Sequence, residues 1–513
     1  MGTTDYTEFL NQKSQKFYSD LSKTQTIQDE KIDDLSEKIE LKVSIAEFKN
    51  DCTYHIQLFN VINNQKLKLN QYNGCSNSDN NTLILNSPII IRYFFEKEQK
   101  LFIEISKTEN GLTKKYEVTT TLGCVMGSRK NTFLKNISTS EPEMIVLKAE
   151  KLKKSEELIS IKFEVNSNDN IEFDDVKNKL YYEIFSNRNI IYRSECLNDK
   201  GIFAQVKIPL CLFKDNKITF IFYNCDKEVV ENFTLSQFEF IKKKKFEVKL
   251  NDTVFQVLSK SSIAKDYTFV DYLKAGIQIG LAVAIDFTAS NGAPNDPNSL
   301  HYINDQLPNQ YERAINSCGN IVAYYDYDQL FPCFGFGAKI KNKSIGLFNL
   351  NMKKDPNINF IEGIIEAYHS ALNVVTLWGP TFFAPIIREM NKMIKRERSN
   401  LKYHILMILT DGMIDDIDET IEEIVEASFL PLSIIIIGVG KADFSNMVEL
   451  DADENPLVNS KGVKASRDIV QFVPFLKYES NPENLAMEVL AEIPRQVVDY
   501  YEQNRVEPNK IKI

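Results

Sequence analysis

The sequence has no excess of positive charge: 61 Lys and Arg stand against 71 Asp and Glu, a net charge of −10. A nucleic-acid binder held by overall charge is excluded, and an anionic partner must meet a local basic patch or a bridging cation. No run reaches the ~18 uninterrupted apolar residues of a membrane span. Met1 to Asp20 is polar and lacks the apolar core of a secretory signal. Gly2 invites N-myristoylation, but Tyr6 stands where that motif wants Ser or Thr. The cysteines at 52, 75, 124, 196, 211, 225, 318 and 333 form no CxxC pair. Scattered mostly through apolar runs, they are expected to be reduced core thiols of a cytosolic protein. The histidines at 55, 301, 369 and 404 show no ligand spacing, and neither GxSxG nor HExxH occurs.

What is present is an ordinary globular balance, 43% apolar and 26% charged over 513 residues. That length predicts two to four domains at roughly 150 residues each. Residues 1–36 are polar and read as a tail. Period two then sets in: Ile39, Leu41, Val43 and Ile45 alternate with Glu40, Lys42 and Ser44, and Leu101, Ile103 and Ile105 alternate later. Asn- and Ser-rich turns separate the runs, which predicts an antiparallel β-sandwich over 37–138. A second block, 143–250, repeats the style, opened by Ile145 and Leu147 and continued by Ile159, Ile161, Phe163 and Val165. After a linker, 251–275, the grammar changes. Continuous apolar strands (Ile277 to Ile285, Ile405 to Leu409, Leu432 to Val439, Ile469 to Phe475) alternate with helical stripes at Tyr311 to Tyr325, Ile361 to Val375 and Leu485 to Tyr501. This rhythm over 276–503 predicts an α/β doubly wound parallel sheet, whose ligands bind at the carboxyl ends of the strands. Residues 504–513 are a tail.

At that rim the first strand runs into Asp286-Phe287-Thr288-Ala289-Ser290, and a later one into Thr410-Asp411-Gly412; the loop Gly379-Pro380-Thr381 lies between them. Residues of this kind after a strand also cap helices. Together, Asp286, Thr288, Ser290, Thr381 and Asp411 supply two carboxylates and three hydroxyls. These hard oxygen donors, completed by water, suit octahedral Mg²⁺ or Mn²⁺ better than Zn²⁺. So few charged ligands leave a position that a partner's carboxylate can fill.

On these residues the chain resembles the copine family. The segments that carry the likeness include DFTASN (286–291), SLHYIN (299–304), NQYERA (309–314), FPCFGFGAK (331–339), GPTFFAPII (379–387), PLSIIIIGVG (431–440), RDIVQFVPF (467–475) and AEIPRQVVDY (491–500). The resemblance implies two C2 domains followed by a von Willebrand A-type domain with a metal-ion-dependent adhesion site at Asp286, Thr288, Ser290, Thr381 and Asp411. It also implies Ca²⁺-dependent phospholipid binding and recruitment of protein targets through the A-type domain.

The departures are specific. A Ca²⁺-responsive C2 domain needs about five Asp carboxylates on two loops, because Ca²⁺ takes six to eight hard oxygens. The first block offers Glu47 and Asp51 on Ala46 to Tyr54; on Ser106 to Lys115 it has Lys107 and Glu109 where paired Asp should be. The second offers Asp174 and Asp175, followed by Lys177 and Lys179, then Asp226 with Asn224 in place of an Asp. Asp51, Asp174, Asp175 and Asp226 leave at most a weak Ca²⁺ site. Phe382 follows Thr381 where the family has Asn. Lys242, Lys243, Lys244 and Lys245 form a basic run that reads either as a charge-protected edge strand or as a patch for anionic lipid.

The expectation is a non-enzymatic adaptor, cytoplasmic and peripheral to the plasma membrane, binding anionic phospholipid and protein targets. The alternative is a phosphoryl-transfer enzyme using Asp286, since the Asp-x-Thr strand end resembles haloacid-dehalogenase-type phosphatases. Thr288 then stands where their second carboxylate is needed.

Overall fold

A sheet with one buried face requires side chains to alternate along each strand, and the computed structural model of the protein is built on that alternation. It describes residues 36–47, 52–62, 64–75, 82–84, 89–152, 157–166, 180–186, 189–197, 201–213, 217–224, 226–250, 253–304, 306–397, 401–451 and 456–511. The chain divides into two compact units, with boundaries between Leu152 and Lys153 and between Thr268 and Phe269.

The first unit begins with antiparallel strands. Glu37–Ala46 turns Ile39, Leu41, Val43 and Ile45 inward. It pairs with Thr82–Ile84 and Ile89–Tyr93, and along Ile39–Ala46 with Met144–Lys151. Ile145 and Leu147, expected to open the second block, therefore complete the first. A second sheet orders Gln65–Cys75, Cys52–Ile62, Lys100–Glu109 and Leu112–Thr121. Ser106 to Lys115, expected as a loop, is a continuous hairpin in which Lys107 pairs with Lys114 and Glu109 with Leu112. Its two-residue turn is Asn110-Gly111, both with positive φ (50° and 79°), the conformation that matches strand twist in a tight hairpin. The inward row Leu101, Ile103, Ile105 therefore continues to Lys107, only 1% exposed.

The same unit holds the α/β portion. Leu330–Ile340, Gln278–Asp286, Lys402–Thr410, Leu432–Gly438 and Val470–Pro474 lie side by side in that order, all parallel. Lys343–Asn349 adds an antiparallel edge. Ile279 to Asp286 and Tyr403 to Thr410 are buried without a break, as strands covered on both faces must be. Leu330–Ile340 did not read as a strand because Gly335 and Gly337 interrupt it; the Phe348 ring fills the space where a Gly335 Cβ would stand. Leu485 to Tyr501, expected as one helix, is two, Pro482–Leu490 and Ile493–Gln503, because Pro494 belongs in a first turn. The short helix Leu122–Gly127 backs onto this portion so closely that a Gly127 Cβ would collide with the Tyr324 carbonyl oxygen. Nearby, the Tyr93 and Tyr325 hydroxyls are 2.6 Å apart and Phe95 packs on Phe269 and Tyr325.

The second unit carries its own core. Phe163 packs edge-on or tilted against Tyr182, Phe220, Phe222, Phe240 and Phe246. Strands Thr253–Ser259 and Ser262–Lys265, expected as linker, belong here: they pair with Phe163–Asn166, Lys245–Leu250 and Glu157–Ile161. Leu180–Ser186, Lys217–Asn224 and Val229–Ser236 form an antiparallel sheet. Among the described residues Cys52, Cys318 and Cys333 are buried and form no disulfide, but Cys196 and Cys211 are exposed. Period two places neither of these on an inward face.

Candidate metal centre

Ile285 is in register with Leu409, so the two central strands end level and present Asp286 and Thr410 side by side, with Asp411 one step beyond. Asp286 is fully buried. Its Oδ1 accepts the Thr288 backbone N–H at 2.8 Å and its Oδ2 accepts the Thr410 hydroxyl at 2.7 Å. The Ser290 hydroxyl donates to Asp411 Oδ1 at 2.9 Å. Thr288 Oγ1 lies 2.9 Å from Ser290 Oγ and 3.3 Å from Asp411 Oδ1. Gly337, at φ +74°, lets the neighbouring strand approach: a Cβ there would collide with Thr288 Cγ2.

Thr381 is held by a different partner. Its N–H donates to Asp415 Oδ2 at 2.8 Å, and its carbonyl accepts the Asp415 N–H at 2.9 Å. Asp416 accepts the Phe383 and Ala384 N–H groups, both at 2.9 Å, fixing the start of helix Ala384–Arg396. Among the described residues the Thr381 hydroxyl makes no hydrogen bond to the other four. The structure thus joins Asp286, Thr288, Ser290 and Asp411 directly, and ties Thr381 through its backbone to Asp415, four residues beyond Asp411.

Three supporting residues escaped the sequence reading. Thr410 was read only as the neighbour of Asp411, yet its hydroxyl holds Asp286. Asn291 donates to the Thr288 carbonyl at 3.2 Å and accepts the Tyr311 hydroxyl at 2.6 Å. Asp415 had no local signal, because its partner is 34 residues away.

Burial, and after it the charge of Asp411, push the Asp286 carboxyl well above the ordinary carboxylate range. Burial likewise raises Asp411, against the hydrogen bonds from Ser290 and Thr288. Two desolvated like charges facing each other favour a cation between them. The donors are all hard oxygens, with only two carboxylates. They fit Mg²⁺ or Mn²⁺, which keep part of their water, better than a thiophilic or imidazole-seeking ion.

The other candidate residues are dispersed. Asp51, Asp174 and Asp175 lie outside the described residues. Asp226 is exposed in a short turn, not a long loop, and the Asn224 amide beside it is engaged by Glu228 at 2.8 and 3.0 Å. Lys242 to Lys245 do not form one strand. Lys242 ends the helix Gln237–Lys242 and Lys245 opens the strand Lys245–Leu250. The capping box of Ser236 with Glu239 starts that helix.

A parallel sheet whose carboxyl rim gathers carboxylates and hydroxyls from two adjacent strand ends defines an α/β domain with a candidate metal centre at that rim. Residues 299–509 match the family model "Copine", and the chain carries a copine domain there. Thr381 and Asp411 lie inside the matched segment; Asp286, Thr288 and Ser290 precede it. Among solved structures, the manganese-loaded TRAP protein of Plasmodium vivax is 14% identical, with 41% of this chain and 74% of that chain covered at a TM-score of 0.27. The SpRpn10 VWA domain is 11% identical, covering 39% and 88% at 0.27. The paired C2 domains of Extended-Synaptotagmin 2 are 8% identical, covering 45% and 93% at 0.17. At these scores the likenesses bear on neither fold nor function.

Proposed function

We propose that this protein is a copine-like, non-enzymatic adaptor that associates peripherally with anionic phospholipid on the cytoplasmic face of the plasma membrane. It recruits protein targets through a Mg²⁺- or Mn²⁺-dependent adhesion site in an A-type domain that follows two C2-type sandwiches. The observation that carries the reading is the cluster of Asp286, Thr288, Ser290 and Asp411 at the carboxyl rim of the parallel sheet. With a divalent ion bound there, a target carboxylate supplies the remaining ligand, and the ion offsets its charge. Asp286 and Asp411 contribute charge, and Ser290, Thr288 and Thr381 neutral oxygens; Thr410 holds Asp286 in place and Asn291 holds Thr288.

Against the phosphoryl-transfer alternative, both Asp286 oxygens are occupied by hydrogen bonds and the group is fully buried. A nucleophilic carboxylate needs an open approach and an ionised oxygen. Thr288 cannot serve as the general acid at the second position. No described helix is long and apolar enough to cross a membrane, so the membrane association proposed is peripheral. Calcium dependence is weak in this reading, because Lys107 stands inside the first block and Asn224 is closed onto Glu228.

The test is cosedimentation of the full chain with phosphatidylserine vesicles, in Ca²⁺ or chelator and at low and high salt. Binding that survives chelation and weakens with salt supports the reading. Strong binding only with micromolar Ca²⁺, indifferent to salt, restores the ordinary family mechanism.

A further inference from the structure

We propose that the second unit docks on anionic bilayers through one face built by Phe238 and Lys242 to Lys245, at the end of that unit opposite the Asn224–Glu228 turn. This rests on the peripheral-membrane reading above and specifies its surface and orientation.

The helix Gln237–Lys242 forces the arrangement. Phe240 is fully buried, on Phe220 and Phe246. Two residues along a helix turn a side chain by roughly 200°, so Phe238 must point outward, and it is 66% exposed. Its ring is not bare of charge: Lys242 Nζ lies 4.0 Å from the centroid. Lys243 Nζ stands 4.9 Å from the Phe246 centroid and 5.1 Å from that of Phe233. All four lysines are exposed, and among the described residues none makes an ion pair. The helix has one acid, Glu239, and it is turned back onto the Ser236 N–H and hydroxyl at 2.9 and 2.8 Å.

Register fixes which end this is. Lys217 pairs with Ser236, just before the helix, and Leu180 pairs with Asn224. Lys217 and Asn224 are the two ends of one strand, about 23 Å apart at ~3.3 Å per residue. Asp226 and the start of Leu180–Ser186 lie at the Asn224 end.

The combination of groups selects the partner. A free phosphate or an acidic protein would be held by the ammonium groups alone. An outward aromatic ring within reach of lysine stems adds affinity when it enters an apolar phase while the ammonium groups stay at the headgroups. Lysines near an anionic surface contribute about 1 kcal/mol each, roughly fivefold in affinity. In this pose the Asn224–Glu228 turn points away from the bilayer, so a Ca²⁺ bridge there has no lipid to reach.

The experiment uses the full chain with phosphatidylcholine vesicles, with and without phosphatidylserine, in chelator. Replacing Lys242, Lys243, Lys244 and Lys245 together by Ala is expected to weaken binding to phosphatidylserine vesicles by at least roughly tenfold. Tryptophan reports orientation: with brominated lipid, Phe238→Trp is expected to be quenched beyond the wild-type baseline, which the single Trp378 sets, whereas Val229→Trp, at the opposite end, shows no quenching beyond that baseline. Quenching of Val229→Trp but not Phe238→Trp, or undiminished binding without the lysines, overturns the proposal. So does lysine-dependent binding to heparin alone, which makes the patch a polyanion site. If the wild type binds no vesicle with or without Ca²⁺, the peripheral-membrane reading itself falls and takes this surface with it.

Discussion

The Lys107 ammonium lies 2.5 Å from Glu143 Oε1 inside the first sheet pair, with Lys107 1% and Glu143 0% exposed. Glu141 Oε2 is 3.2 Å from the same ammonium, and the Tyr54 hydroxyl donates to Glu143 Oε1 at 3.2 Å. The resemblance placed Ca²⁺-binding carboxylates in this segment. The protein instead carries its own cation there, at the inward position that follows Ile105.

Removing one partner of a buried ion pair strands the other's charge, at about 3–5 kcal/mol. Lys107→Met is therefore expected to lower unfolding stability by that order in a urea titration. The double variant Lys107→Met with Glu143→Leu should recover most of the loss. A single variant as stable as wild type would show that the pair holds nothing together.

The same network sets an acid limb. Hydrogen bonds from Lys114 and then Lys107 hold the Glu141 carboxyl down to about 2, from an ordinary 4.5. Its folded value is depressed, so its contribution is complete above the unfolded value and is lost as pH falls from 4.5 towards 2. Melting temperature against pH should fall less steeply in that window for Glu141→Gln than for wild type. Equal slopes would assign the acid limb to other groups.

At the rim, Asp286→Ala with Asp411→Ala is expected to abolish Mg²⁺ and Mn²⁺ binding in calorimetry while leaving the fold. Thr410→Val, which removes the donor to Asp286 Oδ2, should weaken metal binding about 10- to 100-fold. Without metal, Asp411→Asn should raise the melting temperature, because one of two facing charges is gone. Undiminished Mg²⁺ binding by the double variant would put the site elsewhere.

Gly127 has no room for a side chain against the Tyr324 backbone. Gly127→Ala is expected to destabilise by about 1–3 kcal/mol, the range of overpacked contacts. Gly123→Ala meets the Tyr324 ring rather than backbone, with Cδ2 2.7 Å from the added carbon, and should cost less because a side chain can shift. Thermal unfolding of both variants checks the order.

Local pattern determined a good deal. Period two at Ile39 to Ile45 and at Leu101 to Ile105 marks buried strand faces, and unbroken apolar runs ending in Asp286 and Thr410-Asp411 mark strand ends of a covered sheet. Those are properties of adjacent residues, so a chain read in order displays them. Pairing is different, because a strand's face does not name its neighbour. Only the folded chain joined Met144–Lys151 to Glu37–Ala46, and Thr253–Ser259 to Phe163–Asn166. Only there does Lys107 meet Glu143, 36 residues on, and Thr410 reach Asp286, 124 residues back. The lysine run was visible as composition, but its place at the junction of a helix and a strand, with Phe238 outward, followed from Phe240 being buried. Periodicity records which side of an element leaves water; which distant group it then meets is decided by hydrogen-bond register and packing across the whole chain.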